Sequence, residues 1–197
     1  MAEEKKDTKK LSWQQNIVLY FHDLAYLLAV IMVLFLLVFR IVVVDGTSMN
    51  KTLLHGDYVL VLSNLLYPQP ENGDIVVLSK NSYSNGEPLV KRVIATEGQT
   101  VDINFETGEV FVDGKVLNEP YINTSTNTTG GIVFPLVVDD GCVFVMGDNR
   151  NKSKDSRYPE IGIIDRREIL GKVIFLVLPG DNRGEFKRDF GRIGVIS

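Results

Sequence analysis

The sequence predicts a mostly β domain carried on one N-terminal transmembrane helix. Three observations predict it: an uncharged apolar run near the N-terminus, a series of short β-branched segments between turn residues, and a length of 197 residues, enough for one domain of about 150 plus an extension. Hydrophobic residues at 45% and charged residues at 23% are sufficient for a packed core and exclude a wholly disordered chain. The net charge of −4 lacks the basic excess of phosphate-neutralising proteins, so no nucleic-acid partner is expected. One Cys and two His exclude a disulfide scaffold and leave too few soft ligands for a zinc site.

The helix comes first. Residues 24–39 (LAYLLAVIMVLFLLVF) carry no charge, and residues 17–21 and 41–44 extend the apolar stretch. At 1.5 Å per residue the uncharged part spans about 24 Å, so Arg40 or Asp23 must snorkel toward a headgroup. The run is apolar on every face, which fits lipid better than a protein core. Lys5, Lys6, Lys9 and Lys10 precede it, and only Arg40 and Lys51 follow closely, so the N-terminus is expected in the cytoplasm and the remainder outside. A cleavable signal peptide is the alternative, with Val44 and Gly46 as a small-residue pair, but such h-regions run only about 7 to 15 residues. The expected organisation is a cytoplasmic segment (1–16), a transmembrane helix and its exit (17–44), an extracytoplasmic β domain (45–180) and a polar tail (181–197).

The β domain follows. Strand-like runs fall at 58–62, 75–78, 89–95, 101–105, 110–112, 116–117, 143–146 and 173–178. Val101, Ile103 and Phe105 alternate with Asp102 and Asn104, and Asp113-Gly114 between two apolar runs predicts a tight hairpin. Residues 166–170 look briefly helical. Residues 121–131 (YINTSTNTTGG) have no apolar period and read as a mobile loop. Past residue 40 the chain holds 16 basic and 21 acidic residues, so this part is mildly acidic, and its lone Cys142 has no partner.

Three polar segments joined to apolar strands are the places for chemistry: residues 44–49 with Ser48, residues 90–94 with Lys91-Arg92, and residues 146–157 with Asp148, Arg150, Ser153, Asp155 and Arg157. Taken singly, each also reads as an ordinary turn, strand or solvated loop. A serine hydroxyl attacks a carbonyl only when a base removes its proton. His22 lies in the apolar stretch and His55 in a turn close to Ser48, so histidine is a poor base here. A neutral lysine is the other option, and arginine does not deprotonate, which favours Lys91 over Arg92. On an extended strand Lys91 shares a face with Leu89, Val93 and Ala95, and Arg92 shares the other with Val90 and Ile94; periodicity leaves open which cation points inward. Desolvation of Lys91 would favour its neutral form. The third segment suits an ion-paired loop that braces a site, and it does not fit a calcium loop, because Ser153 and Pro159 stand where glycine and the bidentate glutamate belong.

Ser48 lies eight residues past Arg40, so at about 3.3 Å each it sits within roughly 26 Å of the membrane boundary. Met49, Leu53 and Leu54 beside it are expected to rest on headgroups, which suits a substrate held in the membrane.

The anchor, then Ser48-Met49, then Lys91-Arg92, then Gly147-Asp148-Asn149-Arg150 with Ser153, Asp155, Ser156 and Arg157 resembles the bacterial type I signal peptidases of peptidase family S26, in the short single-anchor Gram-positive form. The third motif is highly specific, the lysine motif moderately so, and Ser-Met is weak alone. The resemblance implies a signal-peptidase-like β catalytic fold, removal of signal peptides from secretory preproteins after small residues, and no cofactor or metal. By position it implies Ser48 as nucleophile, Lys91 as general base, Ser153 as a hydroxyl orienting the lysine, Asp155 and Arg157 as braces, and the Ser48 backbone N–H as oxyanion donor. Asn50 stands where the family usually has proline, Ala95, Glu97 and Gln99 replace its common glycine, proline and aspartate, and Gly46 removes a side-chain oxyanion donor found in some members. Two other readings exist: a self-cleaving Ser/Lys domain like that of DNA-damage repressors, which carry a DNA-binding segment in place of an anchor, and a catalytically silent anchored β domain.

Overall fold

The computed structural model describes residues 13–180 and 188–196, and divides into two compact units, one up to Leu37 and one from Val38. The first is a single helix, α1 (Trp13–Val38), whose apolar side chains are exposed all round; its segment Asn16–Val38 is long and apolar enough to cross a bilayer. Lys5, Lys6, Lys9 and Lys10 lie outside the described residues. The helix begins four residues before the expected span of helix and exit (17–44), and its end at Val38 leaves residues 39–44 of that span as the exit. Phe39–Val43 leaves it as strand β1 and pairs antiparallel with β2 (Tyr58–Ser63), Val43 opposite Tyr58. The β-branched run Ile41-Val42-Val43 takes the sheet ladder, and Val42 and Val44 pack into the domain core.

The second unit is the β domain. After β1 and β2 come β3 (Ile75–Ser79), β4 (Pro88–Thr96), β5 (Thr100–Asn104), β6 (Glu109–Val112), β7 (Lys115–Val116), β8 (Leu136–Val137), β9 (Cys142–Met146), β10 (Ile164–Asp165), β11 (Ile169–Leu178) and β12 (Gly194–Val195). A large antiparallel sheet runs β1-β2-β11-β3-β4-β9-β10 with β12 added to β11, and a smaller sheet runs β7-β6-β5-β8. Asp113 and Gly114 both take positive φ, 51° and 74°, as the expected β6–β7 hairpin requires. Residues 166–170 give only a 3₁₀ turn, Arg166–Glu168, before β11 begins, closed by a capping box between Asp165 and Glu168.

Strand β4 sits inside the large sheet between β3 and β9, with apolar clusters on both faces: Val93 joins one with Val76 and Val145, and Ile94 joins another with Val101 and Phe144. This resolves the direction of the two cations, because Lys91 and Arg92 are both buried, on opposite faces of the strand. Two expectations change. Met49 and Leu53 do not meet headgroups: both are buried in the core with Val44, Val59 and Val61, where they fasten the loop that carries Ser48. Residues 121–131 form a loop, as expected, but a pinned one. The Asn151 side chain accepts from the Asn127 and Thr128 N–H groups and donates to Thr124 Oγ1 and the Ser125 carbonyl, while Thr126 is buried against Arg150. Near the C-terminus β12 pairs with β11 and Ile196 packs on the core.

Candidate active site

Ser48 sits in the loop between β1 and β2. That loop closes on itself: the Val44 N–H donates to the Asp57 carbonyl, the Gly56 N–H to the Val44 carbonyl, both at 2.8 Å, and the Leu53 N–H to the Met49 carbonyl at 2.9 Å. From across the site, Asn149 donates its backbone N–H to the Ser48 carbonyl and its side-chain amide to the Thr47 carbonyl, each at 2.9 Å. These bonds occupy the carbonyls. Among the described residues nothing accepts the Ser48 backbone N–H.

Lys91 reaches this hydroxyl from β4. Its Nζ donates to Ser48 Oγ at 3.0 Å and to the Val90 carbonyl at 2.9 Å, and the residue is only 4% exposed. Burial pulls its pKa down to about 8, against the opposing pull of the Asp155 and Asp148 carboxylates. At pH 7 roughly a tenth of molecules then hold the amine neutral, far above the fraction for an exposed lysine.

Three buried guanidinium–carboxylate pairs hold the third polar segment, one of them to β4, and two of their carboxylates, Asp155 and Asp148, act on Lys91. Arg92 grips Asp148 with Nε and Nη2, both at 2.9 Å; Arg157 grips Asp155 with Nε at 2.8 Å and Nη2 at 2.9 Å; Arg150 pairs with Glu119. The fork geometry matches each carboxylate at two points, which fixes direction as well as distance. Asp148 also accepts the Thr52 hydroxyl, Asp155 accepts the Gly147 N–H at 3.0 Å, and the Tyr121 ring lies 4.0 Å from the Arg92 guanidinium. Gly147 has no room for a side chain: a Cβ would stand 2.2 Å from Ser153 Oγ and 2.5 Å from the Ser48 carbonyl oxygen.

The structure thus brings together Ser48 and Lys91, with the Asp155 charge acting on the lysine and Arg157 paired to Asp155. Ser153 is buried beside Gly147, with its hydroxyl 3.4 Å from the Lys154 carbonyl. The bond to Lys91 that the resemblance implied for it is not present among the described residues, and the Val90 carbonyl takes that donor. His55 points elsewhere, accepting from the Gly46 N–H at 3.2 Å and lying 3.1 Å from Asp45, both in solvent. Sequence reasoning places Asn149 in the bracing third segment without a partner, and misses Thr52, Asp57, Glu119 and Tyr121 as site residues; Glu119 lies 31 positions from Arg150 and has no pattern of its own. Among the described residues no three His, Cys, Asp or Glu side chains converge as metal ligands. A groove of about 360 Å³ opens over the pair, walled by Val42, Val44, Leu89 and Val90.

On an antiparallel β domain, a hydroxyl held by a buried amine under an open, largely apolar groove is the constellation of serine hydrolases that use lysine where others use histidine. Residues 17–178 match the family model described as signal peptidase, peptidase S26. A signal peptidase I of Bacillus licheniformis is 33% identical over 190 residues, covering 91% of this chain and 96% of its own, and a probable signal peptidase I-1 of Synechocystis is 38% identical over 151 residues, 72% of each. The chain belongs to the signal peptidase family, peptidase S26. A signal peptidase I of Enterococcus faecalis with a known crystal structure is 30% identical and covers 53% of this chain and 97% of its own, with a TM-score of 0.43.

Proposed function

We propose that this chain is a membrane-anchored serine endopeptidase that removes signal peptides from exported preproteins after small residues, with Ser48 as nucleophile and Lys91 as general base. The observation that carries the assignment of roles is the 3.0 Å contact between Lys91 Nζ and Ser48 Oγ in a site where the lysine is almost wholly buried. In its neutral form Lys91 takes the Ser48 proton as the oxygen attacks the scissile carbonyl. The developing oxyanion accepts the Ser48 backbone N–H, and the new ammonium returns its proton to the departing amine of the mature protein. Water, deprotonated by the same lysine, then adds to the ester and releases the signal peptide as a carboxylate. Asp155 and Arg157, with Ser153 packed on Gly147, brace the segment that faces the dyad.

In this reading α1 is the anchor, with its N-terminus in the cytoplasm, the β domain lies outside, and no nucleic acid takes part. The lipid contact expected of the Ser48 loop falls instead to an outer sheet face. Ile41 and Val43 of β1 stand across from Leu60 and Tyr58 of β2, Leu60 across from Phe175 of β11, and Phe175 across from Val195 of β12. Partners directly opposite share one face of a sheet, and Ile41, Val43, Tyr58 and Val195 are exposed there, so this face supports docking on a bilayer. The test is processing of a radiolabelled preprotein by the purified full chain in detergent. Wild type should release the mature protein and Ser48→Ala should not; full activity in Ser48→Ala would refute the assignment.

A further inference from the structure

An ion pair outside the three motifs, between buried Asp57 and half-buried Arg192, holds the far end of the loop that carries Ser48. Asp57 closes that loop and is fully buried; its carboxylate accepts the Leu54 N–H at 2.8 Å, the Gly180 N–H at 2.7 Å, and both terminal nitrogens of Arg192, Nη1 at 3.0 Å and Nη2 at 2.6 Å. Arg192 Nη2 also donates to the Thr52 carbonyl at 3.3 Å. Thr52 in turn gives its hydroxyl to Asp148, the partner of Arg92. The Ser48 loop is therefore gripped at Thr47 and Ser48 by Asn149, at the Thr52 side chain by Asp148, and at Thr52 and Asp57 by Arg192.

The guanidinium is itself fixed. Arg192 ends a 3₁₀ turn, Phe190–Arg192, capped by the Asp189 side chain on the Gly191 N–H at 3.0 Å, and β12 follows at once on the sheet. The chain just past β11 runs so close to the loop that a Cβ on Gly180 would lie 2.2 Å from the His55 carbonyl oxygen. Removing Arg192 leaves Asp57 as an uncompensated buried charge, which the loop relieves by opening to water.

We infer that Arg192, through Asp57 and Thr52, is a positioning residue that holds Ser48 at attack distance from Lys91 and from the scissile carbonyl; this rests on the proposed roles of Ser48 and Lys91. Arg192 does not line the groove over Ser48, and the groove walls Val42, Leu89 and Val90 stand on β1 and β4 outside the loop, so its removal takes away no direct contact with substrate. A displacement of the nucleophile by about 1 Å lowers the chemical step by up to about 100-fold.

The experiment uses the full chain in detergent with a fluorogenic signal-peptide substrate, comparing wild type, Ser48→Ala, Arg192→Ala and Arg192→Lys. The expected result for Arg192→Ala is a fall in kcat of about tenfold or more, with KM and the acid limb of the pH profile unmoved. Millimolar guanidinium ion should restore part of the rate in Arg192→Ala and none in wild type. Wild-type kcat in Arg192→Ala, or a loss shared by KM with no guanidinium rescue, would overturn the inference. Should Arg192→Ala fail to accumulate as folded protein, Arg192→Lys decides: a lowered kcat at unchanged KM and circular dichroism supports positioning, and wild-type kcat contradicts it. Cleavage by Ser48→Ala would overturn the underlying reading of the site. Cleavage that depends on Ser48 but is indifferent to Arg192 overturns this inference alone.

Discussion

Lys91 Nζ stands 3.0 Å from Ser48 Oγ, donating to it from a strand whose neighbours strip the ammonium of water. The same burial that suits the amine to act as a base costs the fold stability. The unfolded chain keeps this proton up to a pKa of 10.5, and the folded chain releases it at about 8. Folding therefore expels a proton between those values, so stability rises with pH across the window, and the whole penalty, about 3 kcal/mol, stands below pH 8. Lys91→Met is expected to abolish processing yet raise stability at pH 7 by up to about 3 kcal/mol, the gain vanishing toward pH 10.5. Thermal unfolding of both proteins across that pH range checks it; an unstable Lys91→Met at neutral pH would contradict it.

Asp155 acts on the same lysine with the opposite sign. Its charge favours the ammonium and holds the Lys91 pKa higher than burial alone would leave it. Asp155→Asn should move the acid limb of kcat/KM to lower pH. It should also cost about 3 to 5 kcal/mol of stability, because Arg157 is left buried without its counter-charge. A pH–rate profile together with urea denaturation separates the two effects; an acid limb displaced upward would contradict the electrostatic account.

Gly147 is where the backbone of the third motif comes closest to the Ser48 loop without room for a side chain. A methyl group there meets Ser153 and the Ser48 carbonyl at distances no packed atoms adopt, so Gly147→Ala must push one segment off the other. Initial rates of preprotein cleavage should fall by about 100-fold while circular dichroism is preserved; a wild-type rate would mean that the close approach is not needed.

Much of this was legible in the sequence where the signal is local. The alternation of Val101 and Ile103 marks β5, Asp113-Gly114 marks the β6–β7 hairpin, and the scarcity of histidine directs attention to Lys91 as a base for Ser48. Strand β1 was hidden because Ile41-Val42-Val43 continues the apolar run of the helix, and hydrophobicity does not distinguish a lipid-facing residue from a strand residue. Strands β8, β10 and β12 are two residues each, too short for any period to show. Met49 and Leu53 were assigned to lipid for a related reason: local pattern says that a residue avoids water, not which apolar surface receives it. The bracing partners Glu119 and Arg192 act across 31 and 135 positions, a separation at which only the folded topology brings the charges together.

In the proposed mechanism one neutral amine activates one hydroxyl. The most direct test of this is the rate at which a serine-directed acylating probe modifies the full chain in detergent, followed by mass spectrometry as a function of pH. A single adduct on Ser48 is expected, its rate rising through one ionisation near pH 8, with no measurable adduct in Lys91→Ala. Modification of Ser48 in Lys91→Ala at the wild-type rate, or a wild-type rate indifferent to pH between 6 and 9, about one to two units either side of that ionisation, would contradict it.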